Sequence, residues 1–248
     1  MHVRRSLSLL LALSVFAGSS LAANAADRLS VVADEWPPFS GASLPGQGIS
    51  IDVITAVLTR AGYNVDAQIV PWARIMNGSR NDEYDVVGSL FYDESIAEYM
   101  TYGDPFYQTS VKFVQRMGAS HDVSSLTALE PYSIAVGDGF LYEEAFDRAD
   151  HLNKVVVTTA LQAVQMVAFD RVDLTLDSEE VVQYALKNGV ADLTERVEIM
   201  PHILAQHDVH MAVRNSLPNK DKVVADFNRV LEEMRADGSL KAILAKHR

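Results

Sequence analysis

The stretch RLSVVADEWPPFSG, residues 28–41, contains a predicted strand and the loop that follows it. Residues 28–33 are rich in β-branched and other apolar side chains, which predicts a strand. Two acids and a tryptophan come next, and two prolines then punctuate the chain as a loop. Ligands of open α/β sheets bind at the carboxyl ends of strands. Glu35 and Trp36 are therefore the first candidate binding residues.

Helices and strands alternate from this point to residue 90. Apolar residues recur at helical spacing over residues 50–61, alternate over residues 65–69, and form a further strand over residues 84–90. A short helix over residues 72–77 is predicted to end at Gly78. Strands that alternate with helices predict a parallel sheet with helices on its faces.

A second unit of the same kind follows. Strands are predicted at 133–136, 154–157 and 172–176, and helices at 142–149, 159–169 and 178–186. Extended runs at 109–115 and 209–213 connect the two units, and two helices, 223–234 and 239–246, end the chain. The predicted fold class is α/β, with two lobes around a cleft.

The N-terminus and the composition limit the possible functions. A basic start, an apolar run over residues 7–17 and the sequence Ala23-Asn24-Ala25 predict a signal peptide over residues 1–25. The apolar run is too short for a membrane span. The chain has no cysteine, so we expect neither disulfides nor a lipid-modified N-terminus. A net charge of −12 argues against nucleic acid as a partner.

Six segments, in this order and spacing, carry a resemblance to a known family. They are residues 34–41, 48–53, 71–74, 82–85, 102–107 and 173–177, and the third reads Pro71-Trp72-Ala73-Arg74. Together they resemble the family 3 extracellular solute-binding proteins, the polar amino-acid-type receptors of ABC transporters, and within them the subgroup with a Pro-Trp-Ala-Arg motif. The resemblance covers essentially the whole chain after the predicted signal peptide.

The resemblance implies the type II periplasmic-binding-protein fold, with two α/β lobes joined by two hinge strands. Lobe 1 would comprise residues 26–113 and 211–248, and lobe 2 residues 114–210. The hinge strands are expected near Val111–Arg116 and His207–Val213. The expected protein is a soluble periplasmic monomer without a cofactor, which closes on a small molecule by hinge motion and works with the membrane permease of an ABC transporter.

In lobe 1 the resemblance suggests that Trp36 stacks on the ligand, although rigid loop packing would also explain it. Glu35 fits a solvated loop acid equally well. Arg74 fits a ligand carboxylate, because its guanidinium binds two oxygens at once; alternatively it pairs with Asp85. Trp72 is expected either in the cleft or in helix packing.

The end of the strand at residues 84–90 adds Ser89 as a small polar ligand contact and Phe91 as an apolar wall. Many members of the family carry, six residues before the aromatic of the next motif, an arginine that binds the ligand's α-carboxylate. Counting back from Tyr102 gives Ile96, which cannot form an ion pair. Either the ligand lacks that carboxylate, or Arg74 replaces the missing arginine.

In lobe 2 the resemblance points to Gly139, Phe140 and Asp177. Family members bind the ligand's anionic end with amides near Gly139, where Phe140 replaces a hydroxyl residue. Asp177 matches the acid that holds the ligand's ammonium, and its alternative role is to cap the next helix.

No catalytic residue and no metal site is predicted. His202, His207 and His210 lack the ligand pattern of a metal site, and the sequence contains none of the common nucleophile or phosphate-loop motifs. Two alternatives to transport remain. One is a periplasmic dehydratase-like enzyme in which Glu35 or Asp177 is a general acid. The other is an orphan receptor that presents its closed form to a sensor.

Overall fold

The computed structural model describes residues 27–189 and 192–247. The predicted signal peptide, residues 1–25, lies outside these residues. The strands are β1 Arg28–Ala33, β2 Asn64–Ile69, β3 Val86–Leu90, β4 Met100–Tyr102, β5 Tyr107–Arg116, β6 Ser133–Gly137, β7 Asn153–Val157, β8 Leu174–Ser178 and β9 Val197–Arg214. The α-helices are α1 Ile49–Arg60, α2 Trp72–Arg80, α3 Glu94–Ala97, α4 Leu126–Leu129, α5 Glu144–Asp147, α6 Ala160–Ala168, α7 Glu179–Asn188, α8 Leu193–Arg196, α9 Lys220–Ala236 and α10 Ser239–Ala245. Within these two ranges, no helix combines the length and the apolar composition that crossing a membrane requires.

Two sheet regions share the long strand β9. In the first, β1 lies between β2 and β3 and is parallel to both. The C-terminal end of β9 pairs antiparallel with β3 and with β4. In the second, β6 lies between β7 and β8 and is parallel to both, while β5 pairs antiparallel with β8 and β9. We call the part with β1–β4, the C-terminal end of β9 and the helices α1–α3, α9 and α10 the first half. The part with β6–β8 and the helices α4–α8 is the second half.

Strands β5 and β9 run side by side between the two halves. Their pairing begins at Tyr107 with Val209 and continues to Arg116 with Val197. Beyond Val209, β9 pairs with the first half, and from Val111 onward β5 also pairs with β8. On β5 the crossing between the halves therefore falls just before Val111, next to the segment Val111–Arg116 where a hinge strand is expected.

Most elements follow the sequence pattern, and three differences have physical causes. The helix α2 continues through Gly78 to Arg80, because the buried Gly78 packs closely on the ring of Tyr84 and does not adopt a terminating conformation. The helix predicted at residues 142–149 is reduced to α5, with Glu143 as its N-cap. The strand predicted at residues 209–213 is the end of β9, whose N-terminal part is mostly outside the core and shows no regular alternation of apolar and polar residues.

Each half has its own apolar core. In the first half, α1, α9 and α10 cover one face of the sheet, with Ile54, Leu58, Phe227 and Leu231 fully buried. In the second half, Phe113 and Phe146 pack at the centre of a separate cluster. Two cores joined by two strands leave a space between the halves, and cavities lined by residues of both halves lie in that space.

The Asp85 carboxylate joins three strands of the first half. It accepts hydrogen bonds from the backbone and hydroxyl of Ser30 and from two guanidinium nitrogens of Arg214, at 3.0 and 3.1 Å. Asp85→Asn is expected to destabilise the protein by about 1–3 kcal/mol, because it removes the closer charge partner of the largely buried Arg214 and leaves only the more exposed Asp82, at 3.7 Å. Chemical denaturation at neutral pH measures this loss.

Asp66→Asn is the matched control for this substitution. Asp66 pairs with Arg28 in the same sheet, but both side chains are exposed. Exposed pairs contribute about 0–1 kcal/mol. Equal losses in the two variants would contradict a structural role for the Asp85 network.

Candidate functional site

A cleft lies between the two halves, where the carboxyl ends of β1, β3 and β8 converge. It encloses about 620 Å³ of space between atoms, part of it open to solvent. The first half contributes the loop after β1, the first residue of α2 and the end of β3. The second half contributes the loop after β6 and the end of β8. Strand order alone therefore brings together segments that are far apart in the sequence.

The walls of the cleft are mostly aromatic and aliphatic. These lining side chains are Trp36, Trp72, Leu90, Phe91, Ile96, Val111, Phe140 and Leu141, and the polar positions are Asp34, Ser89, Tyr142 and Asp177, with Gly139 at the loop. None of the lining residues is a lysine, arginine or histidine. The cleft thus combines an apolar surface with a net negative charge.

Trp36 contacts both halves. Its ring stacks on Phe39 with centroids 4.5 Å apart and meets Phe91 edge-on at 5.4 Å. Its indole N–H donates a hydrogen bond to the carboxylate of Asp177 on the opposite side of the cleft. Trp36 therefore packs on its own loop and also forms part of the cleft wall.

Asp177 lies at the end of β8, with 7% of its surface exposed. Its carboxylate accepts a hydrogen bond from the backbone N–H of Ser178 at 2.7 Å. Burial raises the pKa of Asp177 to about 7, and the nearby charge of Asp34 adds to the increase. Ser178, and not Asp177, occupies the N-cap position of α7, so the carboxylate of Asp177 remains directed at the cleft.

Asp34 is a second acid in the cleft, on the first half. Burial raises the pKa of its carboxyl to about 6, with a smaller contribution from the charge of Glu35. In the described ranges 27–189 and 192–247, neither Asp34 nor Asp177 forms a salt bridge. Two carboxyls without a cationic partner therefore face one cavity.

Glu35 is the acid predicted for the site from the sequence, whereas in the structure its neighbour Asp34 lines the cleft. The side chain of Glu35 is exposed and accepts a hydrogen bond from the Ala42 backbone. It lines a separate groove beside α6 and α7 and does not line the cleft. Asp34 directly follows β1, and this position is the signal in the sequence that favours it as a cleft residue. Because β1 is buried on both faces, no alternation of apolar and polar residues indicates which of the two acids faces the cleft.

Ser89 lies at the bottom of the cleft, in a left-handed backbone conformation with φ of 61°. Its hydroxyl donates to Ser50 at 3.0 Å and accepts from Ser40 at 3.2 Å. The β3 register shifts between Val87 and Leu90, around this residue. The buried hydroxyl chain holds the end of β3 against α1 and the β1 loop.

Phe91 connects the cleft wall to the hinge. Its ring stacks on the imidazole of His207 with centroids 4.4 Å apart. His207 Nε2 donates to the backbone carbonyl of Tyr142 at 2.5 Å. His207 lies on β9 and Tyr142 belongs to the second half, so this contact joins the halves beside the cleft. Sequence reasoning missed Tyr142, because only the path of its loop brings it to the site.

The loop after β6 contributes Gly139 and Phe140 to the cleft, as predicted, and Gly139 adopts a φ of 70°. Most of its amides, however, already have partners inside the protein. The N–H of Gly137 donates to Tyr142 Oη, that of Asp138 to the carbonyl of Val157, and that of Phe140 to the carbonyl of Gly137. The N–H groups of Tyr142 and Glu143 donate to the Asp147 carboxylate. The expected cradle of amides for an anion is therefore largely occupied.

Arg74 and Trp72 separate on α2. Trp72 lines the cleft and also packs against the cluster around Ile75. Arg74 is exposed and does not line the cleft. The alternative pairing with Asp85 is not formed either, since Asp85 binds Arg214. Two positions along a helix differ by about 200° of rotation, so the two side chains cannot face the same site.

Ile96, on α3, lines the cleft at the position counted from the motif, with 5% of its surface exposed. It packs with Met100 and Leu90. The side chain at this position is therefore apolar and directed at the ligand space.

The described residues contain no group of three or more histidines, cysteines or acids arranged to hold a metal ion. The chemistry available in the cleft is that of two carboxyls, two hydroxyls and an aromatic wall. These groups can bind a small molecule through hydrogen bonds, a cation and apolar contact.

Two α/β halves are joined by two strands, and polar and aromatic residues from both halves line the cleft between them. This arrangement is typical of two-lobed ligand-binding proteins. A family model for bacterial extracellular solute-binding proteins, family 3, matches residues 29–248, and the chain belongs to that family.

Relatives agree with this assignment. The L-cystine-binding protein TcyA of Bacillus subtilis (strain 168) is 26% identical over 200 residues, which cover 80% of this chain and 71% of that protein. A crystal structure of a histidine kinase sensor domain with similarity to periplasmic binding proteins superposes with a TM-score of 0.78 at 19% identity, covering 89% of this chain and 96% of that one. An ancestral arginine-binding protein bound to arginine gives a TM-score of 0.74 at 21% identity, covering 88% and 97%. The predicted type II periplasmic-binding-protein fold is confirmed.

Proposed function

We propose that the protein captures a small polar, amino-acid-like molecule in the cleft, in the periplasm, and presents it to an ABC importer without changing it chemically. Family membership supports solute binding. The observation that carries the proposal is that residues from both halves, among them Trp36 and Asp177, line one cavity and contact each other across it. A ligand in that position would hold the two halves together.

The carboxyl of Asp177 supports a ligand that carries an ammonium group. It is buried, has no cationic partner among the described residues, and faces a cavity with an aromatic wall. A cation there would gain both charge pairing and contact with aromatic faces. The names of the relatives, which bind cystine and arginine, agree with an amino-group-bearing ligand.

A thermal-shift screen of a metabolite library, followed by small-angle X-ray scattering, tests this proposal. A ligand that binds only the folded state raises the melting temperature, and closure of the halves would reduce the radius of gyration. The proposal predicts at least one ligand that does both. A well-folded sample that no small molecule stabilises would contradict it.

A second candidate function is a dehydratase-like enzyme, and the raised pKa of Asp177 is the observation in its favour. A carboxyl with a pKa of about 7 can act as a general acid near neutral pH. Against it, the substrate of such an enzyme carries carboxylates, and no basic side chain lines the cleft. Incubation with prephenate or arogenate decides between the two: we expect no turnover.

Binding of a cationic solute is expected to depend on pH. Ligand binding favours the ionised carboxyls, whereas burial keeps the pKa of Asp34 at about 6 and that of Asp177 at about 7 in the free protein. The titratable neighbours are Glu35 beside Asp34 and Tyr142 beside Asp177. Affinity should therefore rise with pH between about 5 and 8, by up to about tenfold per pH unit for each proton released.

The folding stability of the free protein should show the opposite trend and decrease as the pH rises. Because the folded-state pKa of each carboxyl lies above its ordinary value of 3.8, the stabilising effect of protonation is full below about pH 4. It is lost as the pH rises through 6 and 7.

Calorimetric titration with the ligand, in buffers of different ionisation enthalpy, counts the protons that are released on binding. Proton uptake on binding, or affinity that does not change with pH, would contradict this prediction.

A further inference from the structure

We propose that the cleft selects organic cations that have an apolar body and lack a carboxylate, and prefers a primary amine to the α-amino acid of the same side chain. This inference rests on the proposed function, because it takes the cleft as the binding site. Such a cleft would differ from an ordinary amino-acid receptor, because it would offer no partner to a ligand carboxylate.

The charge of the cleft supports a cation. Asp34 enters from the first half and Asp177 from the second, and they are close enough for the charge of Asp34 to act on Asp177. Neither has a salt-bridge partner in the ranges 27–189 and 192–247. An ammonium between them would be bound from both sides, and Trp36 would offer its ring to the same charge.

The first place where a ligand carboxylate could be held is the position of Ile96. The residue is almost fully buried, lines the cleft and packs on Met100 and Leu90. It provides neither a charge nor a hydrogen-bond donor. A carboxylate beside it would lose its hydration without compensation, which is strongly unfavourable.

The second place is the loop after β6, and most of its backbone donors are already used. The N–H of Gly137 binds the hydroxyl of Tyr142 at 2.7 Å. The N–H groups of Tyr142 and Glu143 bind Asp147 at 2.9 and 3.1 Å. Asp147 and the hydroxyl of Tyr142 thus occupy three of the donors that an anionic ligand group could use.

The third place is Arg74, and its side chain is outside the lining. It follows Trp72 by two helical positions, and Trp72 is the residue of α2 that lines the cleft. A carboxylate that reached Arg74 would have to leave the space between the halves. The apolar wall of Trp36, Phe91, Phe140 and Leu141 instead matches an uncharged ligand body.

Matched pairs of amines and amino acids test the inference by calorimetric titration. The pairs are agmatine and arginine, cadaverine and lysine, phenethylamine and phenylalanine, and tyramine and tyrosine. Each pair shares its side chain and differs in the carboxylate. We expect at least one amine to bind, and to bind at least about tenfold more tightly than its amino acid, which corresponds to about 1.4 kcal/mol.

Binding of an amino acid more tightly than its amine in every pair would overturn the inference while leaving the proposed function intact. Absence of binding by all four amines would also overturn it. In that case, a ligand found in the metabolite screen would preserve the proposed function, and a screen without any ligand would reject both.

Ile96→Arg gives a second test on the same pairs. An arginine at this position would offer a carboxylate partner, so the preference within the best pair should shift toward the amino acid by at least about tenfold. An unchanged preference in a folded variant, checked by circular dichroism, would contradict the role proposed for Ile96. If the variant does not fold, the comparison in the unmodified protein decides the inference by itself.

Discussion

Asp177→Asn is expected to weaken the binding of a cationic solute about 100-fold. Asparagine keeps the shape of the side chain and an oxygen for the N–H of Ser178, but it removes the negative charge at the end of β8. Loss of one partner from a buried charge pair typically costs about 2–5 kcal/mol. Calorimetric titration of the two proteins with the same ligand measures the change.

Asp150→Asn is the control for this substitution. It removes one negative charge from an exposed position outside the cleft. The protein has a net charge of −12, so a general effect of acidity on a cation would appear in both variants. Comparable losses in the two variants, or no loss in Asp177→Asn, would contradict a specific contact between Asp177 and the ligand.

Trp36→Ala is expected to lower both affinity and stability. The ring is packed on Phe39 and Phe91 and is 9% exposed. Removing a buried tryptophan costs about 3–5 kcal/mol of folding free energy. Removing an aromatic wall from a binding site also costs 2 kcal/mol or more when the residue is central, or about 30-fold in affinity. Chemical denaturation and calorimetric titration measure the two losses separately.

Trp36→Phe separates the two roles of this tryptophan. Phenylalanine keeps an aromatic face but cannot donate the hydrogen bond to Asp177. We expect it to retain most of the affinity, because the ring and not the N–H would contact the ligand. An equal loss in Trp36→Phe and Trp36→Ala would show that the N–H to Asp177 is the essential contact instead.

The sheets could be predicted from the sequence because their signals are local. Residues 28–33 form β1 with the predicted bounds, and the helices after β2, β7 and β8 begin within a residue or two of their predicted starts. Buried parallel strands are short apolar runs between turn residues, and this chain follows that rule. The exposed part of β9 has no such run, so only its pairing with β5 reveals it.

The candidate site was only partly predictable. Trp36, Trp72, Ser89, Phe91, Gly139, Phe140 and Asp177 line the cleft, and Glu35 and Arg74 do not. Helical geometry alone excludes a shared face for Trp72 and Arg74. The choice between Asp34 and Glu35 required the actual turn after β1, and the position of Tyr142 required the path of a loop. The amides of that loop are occupied by side chains such as the Tyr142 hydroxyl and the Asp147 carboxylate, and the spacing of these residues in the sequence does not reveal the contacts.

A crystal structure of the protein with the tightest-binding of the four amines would show whether the cleft binds an ammonium between its two acids. We expect the ammonium to lie within hydrogen-bond distance of Asp177, with Asp34 on the other side and the ligand body between Trp36 and Phe140. An amine bound outside the cleft, or bound in the cleft with its ammonium directed away from both carboxylates, would rule out this binding mode.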